Sequence, residues 1–236
     1  PISNDLIEQL NAKPMPCAGR CDGPVPVLKG TEVLIGNSAD NLKPEPSPLP
    51  PPNPGGIEEC VFAHIRETGR ATLKGYRKTG GYSAIEKAVA DSPEHLIALI
   101  TKSKLAGRGG AGFPTGKKWG MVAEAEGTPK TIVCNADEGD SGTFADRMLM
   151  EGDPFTLIEG MIIAGLATGA TKGFVYIRSE YPDAIAVMEA AVRIGLKAGL
   201  LGTNVLGSGK AFDLEIRTGA GAYVCGEETS LLNSLE

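Results

Sequence analysis

Apolar and polar residues follow two alternating periods along the chain from about residue 59 onward. Apolar positions at helical spacing predict helices at Glu59–Arg66, Tyr82–Ala90, Ser92–Leu105, Lys117–Ala125, Phe155–Thr168 and Pro182–Ala198, with another beginning near Glu227. Short apolar runs predict strands at Thr131–Asn135, Gly173–Arg178 and Phe212–Arg217, the first of them buried. Helices that alternate with strands in this way predict an α/β fold.

A proline-rich segment separates this region from the beginning of the chain. Seven prolines stand between Pro44 and Pro54, and proline fixes φ and lacks a backbone donor, so we expect an extended connector. We therefore place a linker at residues 44–56, a small front unit at residues 1–43 and a larger domain at residues 57–236. The front unit contains one predicted strand, Glu32–Gly36, and is too short to bury a core alone. The front unit either packs against the rest of the chain or is itself a fragment of a larger unit.

Composition and charge narrow the class of protein. The chain has 23 basic and 29 acidic side chains, and its net charge of −6 argues against a nucleic-acid partner. The longest apolar stretch, Phe155–Ala170, includes Glu159 and is shorter than the roughly 20 residues of a membrane span, so no direct membrane span is predicted. An odd number of cysteines and no signal-like segment favour a reducing compartment, and we expect the cytoplasm.

The glycine-rich loop, Gly107–Gly116, lies between two predicted helices. Its spacing G-x-G-x-x-G matches a dinucleotide-binding fingerprint, but that fingerprint follows a strand, and here a helix precedes the glycines. The loop also lacks the glycine spacing of a P-loop. Unshielded N–H groups at a helix N-terminus can bind an anion, and Arg108, Lys117 and Lys118 favour a phosphate. The alternative is a tight turn between helices.

Two further segments carry candidate ligand-binding side chains. The acidic segment, residues 135–142, follows a predicted strand, where α/β proteins bind ligands. Its carboxylates would repel a phosphate and suit hydroxyls, amides or a heteroaromatic ring; a solvated acidic turn is the alternative. The terminal glycine turn, Gly219–Gly226, leads to Glu227 and Glu228 at a helix start, where the helix dipole alone favours acidic residues.

These three segments together resemble the flavin-binding subunit of NADH-oxidising complexes. The motifs are GRGGAGFPTGKKW from Gly107, NADEGDSGTFADR from Asn135 and GAGAYVCGEETSLLNSLE from Gly219, and the resemblance covers Ile57–Glu236. The family includes the flavin subunits of respiratory complex I, of NAD-reducing hydrogenases and of NAD-dependent formate dehydrogenases. The resemblance implies a Rossmann-like but atypical FMN-binding domain with a diaphorase activity. Hydride then passes between NAD(H) and FMN, and single electrons pass to or from iron–sulfur clusters.

The resemblance also implies which residues bind the cofactors and gives none of them a role as catalytic acid or base. The FMN phosphate is implied to be held by the loop backbone and one lysine: Gly107, Arg108, Gly109, Gly110 and Lys118. The ribityl chain and isoalloxazine ring are implied to be contacted by residues of the other two segments: Asn135, Asp137, Glu138, Asp140, Tyr223, Gly226 and Glu227. Phe113 is implied to stack on NAD(H), and Glu228 to hydrogen-bond its nicotinamide end.

Two positions depart from the family pattern. Asp140 stands where the respiratory subunit usually has glutamate, and Met121 where a second stacking aromatic is common. Asp140, with Ser179–Pro182 and Gly207–Lys210, favours the formate dehydrogenase branch. The alternatives are the flavin subunit of complex I or of an NAD-reducing hydrogenase. A flavin-free scaffold subunit and an NAD-binding module without flavin are rivals of other classes.

The front unit contains a C-x3-C pair, Cys17 and Cys21. The pair resembles the second half of the C-x4-C…C-x3-C pattern in a thioredoxin-like [2Fe–2S] domain, so the front unit would be the end of such a domain. This implies a cluster whose other ligands lie outside this chain; two free thiols are the alternative. Family members continue into ubiquitin-like and [4Fe–4S] domains, which we expect beyond residue 236. The implied partners are the iron–sulfur and catalytic subunits of a larger redox complex.

Overall fold

The computed structural model describes residues 4–15, 17–21, 24–52, 59–219 and 223–235. The α-helices are α1 (Asn4–Leu10), α2 (Leu73–Lys78), α3 (Ser83–Val89), α4 (Pro93–Ser103), α5 (Thr115–Glu124), α6 (Ala145–Gly152), α7 (Pro154–Thr168), α8 (Pro182–Lys197) and α9 (Glu228–Leu235). The strands are β1 (Pro26–Lys29), β2 (Glu32–Ile35), β3 (Lys43–Pro44), β4 (Thr131–Ala136), β5 (Lys172–Arg178) and β6 (Asp213–Gly219).

The larger domain is built on a parallel sheet in the order β4-β5-β6. Side chains on one face of this sheet, such as Val175, Ile177 and Leu214, are buried in the main core. Helix α7 packs on β4 and β5, and α8 packs on β6, so both crossover helices cover the apolar side chains. The α/β fold expected from the alternating periods is confirmed.

The front unit forms a second sheet, which is antiparallel and has the order β1-β2-β3. The predicted strand at Glu32–Gly36 is confirmed as β2, whose Val33 and Ile35 are buried. Strand β2 contacts α8 of the larger domain, so the front unit packs against the rest of the chain. Pro44 ends β3 at the edge of the sheet, which tolerates a residue without an N–H group. The domain boundaries themselves remain a prediction.

Two expectations about local structure were wrong. Residues 59–66 form a series of turns rather than a helix. Their backbone hydrogen bonds join residues three positions apart, from Ala63 N to Cys60 O and from Ile65 N to Phe62 O. Of the residues in this stretch, only Ile65 is buried, so no continuous apolar face holds a helix. Strand β4 is half-buried rather than buried, because it lies at the edge of its sheet.

Three of the described α-helices, α1, α2 and α6, were not predicted, and the formation of α6 has a long-range cause. In helix α2 only one side chain, Tyr76, is buried, so the sequence there shows only a weak helical spacing of apolar residues. The N-terminus of α6 is capped by the carboxylate of Glu138, which accepts hydrogen bonds from Asp146 N at 3.0 Å and Arg147 N at 3.2 Å. A cap that comes from outside the helix leaves no local sequence signal.

Helices α4 and α5 hold the glycine-rich loop between them and pack closely at Gly116. Helix α4 begins as predicted, with the Ser92 side chain accepting from His95 N and Pro93 in the first turn. It ends at Lys104, which has a left-handed φ of 58°, before the predicted stop at Gly107. The close packing at Gly116 therefore fixes where the loop leaves and re-enters the helix pair.

Gly116→Ala is expected to lower the free energy of unfolding by about 1–3 kcal/mol, as overpacked substitutions do. A Cβ atom at Gly116 would lie 2.2 Å from Thr101 Oγ1 and 2.7 Å from Thr101 Cα, so the backbones of α4 and α5 would have to separate. Urea unfolding measures the change. Gly120→Ala on the same helix is the control, because a Cβ there meets only Ile97 Cγ2, at 3.9 Å. Equal effects of the two substitutions would contradict the prediction.

Among the residues that the structure describes, no helix is both long and apolar enough to cross a membrane.

Candidate functional site

The glycine-rich loop projects from the α4–α5 pair as an exposed, closed loop. Gly107 N donates to Phe113 O and Thr115 N donates to Leu105 O, each at 2.9 Å, so the two ends of the loop are bonded to each other. Gly110 has a φ of +114°, a conformation that glycine adopts readily and other residues rarely do. A Cβ atom at Gly109 or Gly110 would meet no atom within 4 Å. The loop is wider than a tight inter-helix turn and leaves its backbone accessible.

Cationic and aromatic side chains flank this loop. Arg108 and Lys118 are exposed, and Lys117 Nζ lies 5.8 Å from the centre of the Phe113 ring. A cavity of about 590 Å³ opens beside the loop and is lined by Phe113, Lys118 and Met121, among others. Phe113 and Met121 thus face one space, as expected if both positions contact the same ligand.

The acidic segment begins at the carboxyl end of β4 and carries a buried carboxylate. Asp137 is only 8% exposed, and within the described chain its Oδ1 atom is buried with no hydrogen-bond partner. Burial raises the pKa of Asp137, and the nearby Arg178 opposes this rise. An unpaired buried oxygen is costly, and at this place a ligand can supply the missing donor; Asp153 Oδ1 and the Tyr82 hydroxyl, which lie elsewhere, also lack a partner among the described residues.

Residues 223–226 of the terminal glycine turn lie directly against the acidic segment, whereas residues 220–222 of that predicted turn lie outside the described residues. Asn135 Nδ2 donates to Gly226 O at 2.7 Å, and Asn135 Oδ1 accepts from Asp137 N at 3.2 Å. A Cβ atom at Gly226 would lie 3.0 Å from Asp137 O, and one at Gly139 would lie 3.1 Å from Tyr223 Cδ2. The structure therefore brings Asn135 and Asp137 together with Tyr223 and Gly226, which lie more than 80 positions later in the chain.

The two glutamates at the start of α9 differ in their contacts. Glu227 Oε2 accepts from Ser230 N at 3.0 Å, and the backbone N–H groups of Thr229 and Ser230 lower the pKa of Glu227. Glu227 thus caps α9, as a helix-dipole role predicts. Glu228 is the first residue of α9 and its side chain is exposed. Both residues are exposed, and they differ in that the Glu227 carboxylate is bonded to the backbone of α9.

Glu138 and Asp140 lie at the same segment but have other surroundings. The Glu138 carboxylate is buried, caps α6 and accepts from the Tyr181 hydroxyl at 3.2 Å. Asp140 is exposed and its backbone oxygen accepts from Thr143 N at 3.1 Å. Sequence reasoning assigned no role to Arg178 or Tyr181, although both contact this segment. Their sequence signal is their place in the stretch RSEYP, which begins at the last residue of β5.

The glycine-rich loop is not hydrogen-bonded to the other two segments in the described part of the chain. Over residues 107–113, all of which are described, no hydrogen bond joins the loop to the acidic segment or to residues 223–228. The structure therefore groups the acidic segment with the terminal turn and leaves the loop with its flanking cations and the cavity beside it.

The cysteine pair of the front unit lies beside the acidic segment, which the sequence did not predict. The backbone N–H of Gly142 lowers the pKa of the Cys17 thiol, and Gly19 N donates to Cys17 Sγ at 3.4 Å. Gly19 has a φ of +62°, and a Cβ there would lie 2.7 Å from the Tyr181 hydroxyl. In the described part of the chain, no group of three or more His, Cys, Asp or Glu side chains could hold a metal ion. A cluster at Cys17 and Cys21 remains a prediction.

Two observations fit the FMN that the resemblance implies. The glycine-rich loop offers unshielded N–H groups beside Arg108 and Lys118, which suits a phosphate. The unpaired Oδ1 of Asp137 suits a hydroxyl or ring N–H donor. The loop thus offers a place for a phosphate, and the acidic segment offers an acceptor for a hydrogen-bond donor.

Comparison with known proteins supports an FMN-binding site. Residues 100–236 match the model of the Nuo51 FMN-binding domain. An NADH-quinone oxidoreductase subunit of Aquifex aeolicus is 52% identical over 161 residues, which is 68% of this chain and 38% of that protein. The NADP-reducing hydrogenase subunit HndC of Solidesulfovibrio fructosivorans is 48% identical over 165 residues, which is 70% of this chain and 34% of that protein.

The fold is similar to that of a solved hydrogenase. The crystal structure of NAD⁺-reducing [NiFe]-hydrogenase in the air-oxidized state superposes with a TM-score of 0.72 at 27% identity, covering 100% of this chain and 42% of that chain. The chain thus spans less than half the length of the relatives it matches, and none of those named here is a formate dehydrogenase. Because the matched model covers more than half of its residues, the chain belongs to the Nuo51 FMN-binding domain family.

Proposed function

We propose that this chain is the flavin-binding part of an NAD(H)-linked oxidoreductase, the flavin subunit of a respiratory complex I or of an NAD-reducing hydrogenase. The observation that carries the proposal is the buried, unpaired oxygen of Asp137 beside Asn135 and Gly226. The exposed glycine-rich loop adds a phosphate site. The names of the relatives favour these two complexes over a formate dehydrogenase.

The proposed roles of the side chains are to bind and orient. The N–H groups of residues 107–110, with Lys118, would hold the phosphate, and Asn135 and Asp137 would hydrogen-bond hydroxyls or ring atoms. Phe113 would stack on NAD(H), and Glu228 would accept a hydrogen bond from its carboxamide. Bound FMN would supply the exchange of hydride with NAD(H) and the release of electrons one at a time. None of these residues needs to act as a catalytic acid or base.

The proposed partners are the subunits that carry iron–sulfur clusters and the second active site of the complex. We further propose that Cys17 and Cys21 ligate a [2Fe–2S] cluster with residues outside this chain, and that a [4Fe–4S] cluster lies beyond residue 236. Formate dehydrogenase remains the second candidate, because Asp140 and the stretch Ser179–Pro182 favour that branch in sequence. The subunits that co-purify with the full-length protein distinguish the candidates.

An anaerobic titration tests the proposed function. The full-length protein, purified with its complex, is expected to contain FMN by chromatography of the released cofactor. Its visible flavin absorption is expected to bleach on addition of NADH. A colourless protein that still assembles into its complex would instead identify a scaffold subunit.

Glu228→Ala is expected to lower the kcat/KM for NADH by about ten- to a hundredfold while FMN stays bound. The substitution removes one hydrogen bond made by a charged group, which contributes about 1.5–3 kcal/mol. Steady-state NADH oxidation with an artificial acceptor, together with the flavin content, measures both effects. Glu94→Ala is the matched control, because Glu94 is also an exposed acid in the first turn of a helix. Loss of FMN from Glu228→Ala would contradict the assigned role.

A further inference from the structure

Arg178 is a buried cation at the end of β5, next to the acidic segment. It is 4% exposed, and its Nη1 atom donates to Glu138 O at 2.6 Å. Its Nη2 and Nε atoms donate to the carboxylate of Glu180, at 3.1 and 3.4 Å. One guanidinium therefore joins the acidic segment to the turn after β5. The planar fork of arginine can make both sets of bonds at once, whereas a lysine ammonium cannot match this geometry.

Glu138 is held from three directions. Its backbone oxygen is bound by Arg178, its carboxylate caps α6, and the Tyr181 hydroxyl donates to the same carboxylate. Asp137 precedes Glu138 in the chain, so these bonds also fix the backbone from which the Asp137 side chain extends. Arg178 is close enough to Asp137 for its charge to oppose the effect of burial on that carboxyl.

A buried ion pair is by itself weak evidence for a stabilising role. The desolvation of two charges can exceed their attraction, so apolar residues of similar volume often stabilise a fold as well or better. The Arg178–Glu180 pair lies where a buried carboxylate oxygen still lacks a partner, at Asp137. The pair is thus placed to set the position and the electrostatic potential of the acidic segment.

We propose that Arg178 is a positioning residue of the flavin site, which fixes the segment that carries Asp137 and offsets its negative charge. The inference rests on the proposed function and adds a residue to it. Removing the cation makes the site more negative, which disfavours the more electron-rich, reduced form of a bound flavin. Removing the fork geometry releases the Glu138 carbonyl and with it the Asp137 backbone. The two effects are separable, because lysine keeps the charge and loses the fork.

The test compares Arg178→Gln and Arg178→Lys in the full-length protein within its complex. A matched control is Arg70→Gln, because Arg70 also forms a buried ion pair, with Asp153 at 2.7 Å, and lies in a different cluster. Three quantities are measured: the thermal unfolding midpoint, the dissociation constant of FMN after flavin removal and reconstitution, and the midpoint potential of the bound flavin.

Arg178→Gln is expected to raise the FMN dissociation constant about tenfold or more and to make the flavin potential more negative. Arg178→Lys is expected to weaken FMN binding and to keep the potential near that of the wild type. If Arg178→Gln does not fold, the FMN affinity and flavin potential of Arg178→Lys alone test the proposal. Arg70→Gln is expected to lower only the thermal midpoint. The proposal is overturned if both Arg178 variants lose thermal stability while FMN affinity and potential stay unchanged. A wild-type protein that binds no FMN would overturn the proposed function as well.

Discussion

Gly109→Val is expected to deplete the purified protein of FMN while leaving its unfolding free energy nearly unchanged. An added side chain at Gly109 would meet no atom within 4 Å, so the loop can keep its conformation. The same side chain would cover the backbone N–H groups that we assign to the phosphate. Flavin content, measured by chromatography of the released cofactor, is expected to fall about tenfold or more, and urea unfolding is expected to be unaffected.

Gly160→Val is the control for this experiment. Gly160 is exposed on α7, and an added Cβ there also meets no atom within 4 Å, but it lies on a helix away from the loop. Full flavin content is expected in this variant. Full flavin content in Gly109→Val as well would show that the phosphate is bound elsewhere.

Glu159→Ala is expected to lower the free energy of unfolding by about 3–5 kcal/mol, because three buried donors lose a charged acceptor and each such loss costs about 1–3 kcal/mol. The Glu159 carboxylate is buried and accepts hydrogen bonds from Tyr82 N at 2.8 Å, from Ile85 N at 3.0 Å and from the Tyr76 hydroxyl. Without it, two backbone N–H groups at the start of α3 and one phenol lose their acceptor inside the core. Urea or thermal unfolding of the apo and FMN-loaded proteins measures the loss.

Two variants make this prediction specific. Glu159→Gln keeps one acceptor oxygen and is expected to fall between the wild type and Glu159→Ala. Glu189→Ala removes an exposed carboxylate that lies 3.6 Å from Arg193 on α8, and is expected to cost less than about 1 kcal/mol. If Glu159→Ala were as mild as Glu189→Ala, the hydrogen bonds to α3 would not contribute as the structure indicates.

Local signals in the sequence were sufficient to predict most of the larger domain. Ser92 and Pro93 give the start of α4, and the apolar runs give β5 and β6 within one or two residues. The segment near Glu59 was predicted wrongly because its apolar spacing is helical although only Ile65 is buried. Helix propensity is a weak guide when tertiary packing does not support the apolar face.

The candidate site was predictable as three motifs but not as an arrangement. The motifs identify Asn135, Asp137 and Gly226, and these three do come together. No local pattern reveals that Arg178 binds the carbonyl of Glu138, a residue forty positions earlier. Likewise, the sequence implied that Glu138 contacts FMN or lies in a solvated turn, and nothing local indicated that its carboxylate caps α6. Such contacts depend on the register of the parallel sheet and on the packing of α6, which periodicity does not encode.

The contact between Gly19 and Tyr181 limits the modularity of the front unit. The backbone of Gly19 approaches the ring so closely that any side chain there would displace the Tyr181 hydroxyl, which also holds Glu138. A chimera joined within residues 44–56 would therefore keep the acidic segment intact only if its new front unit also placed a glycine at this turn. Exchange of front units between relatives is thus constrained by a steric fit, and the proline-rich segment is not a neutral crossover point.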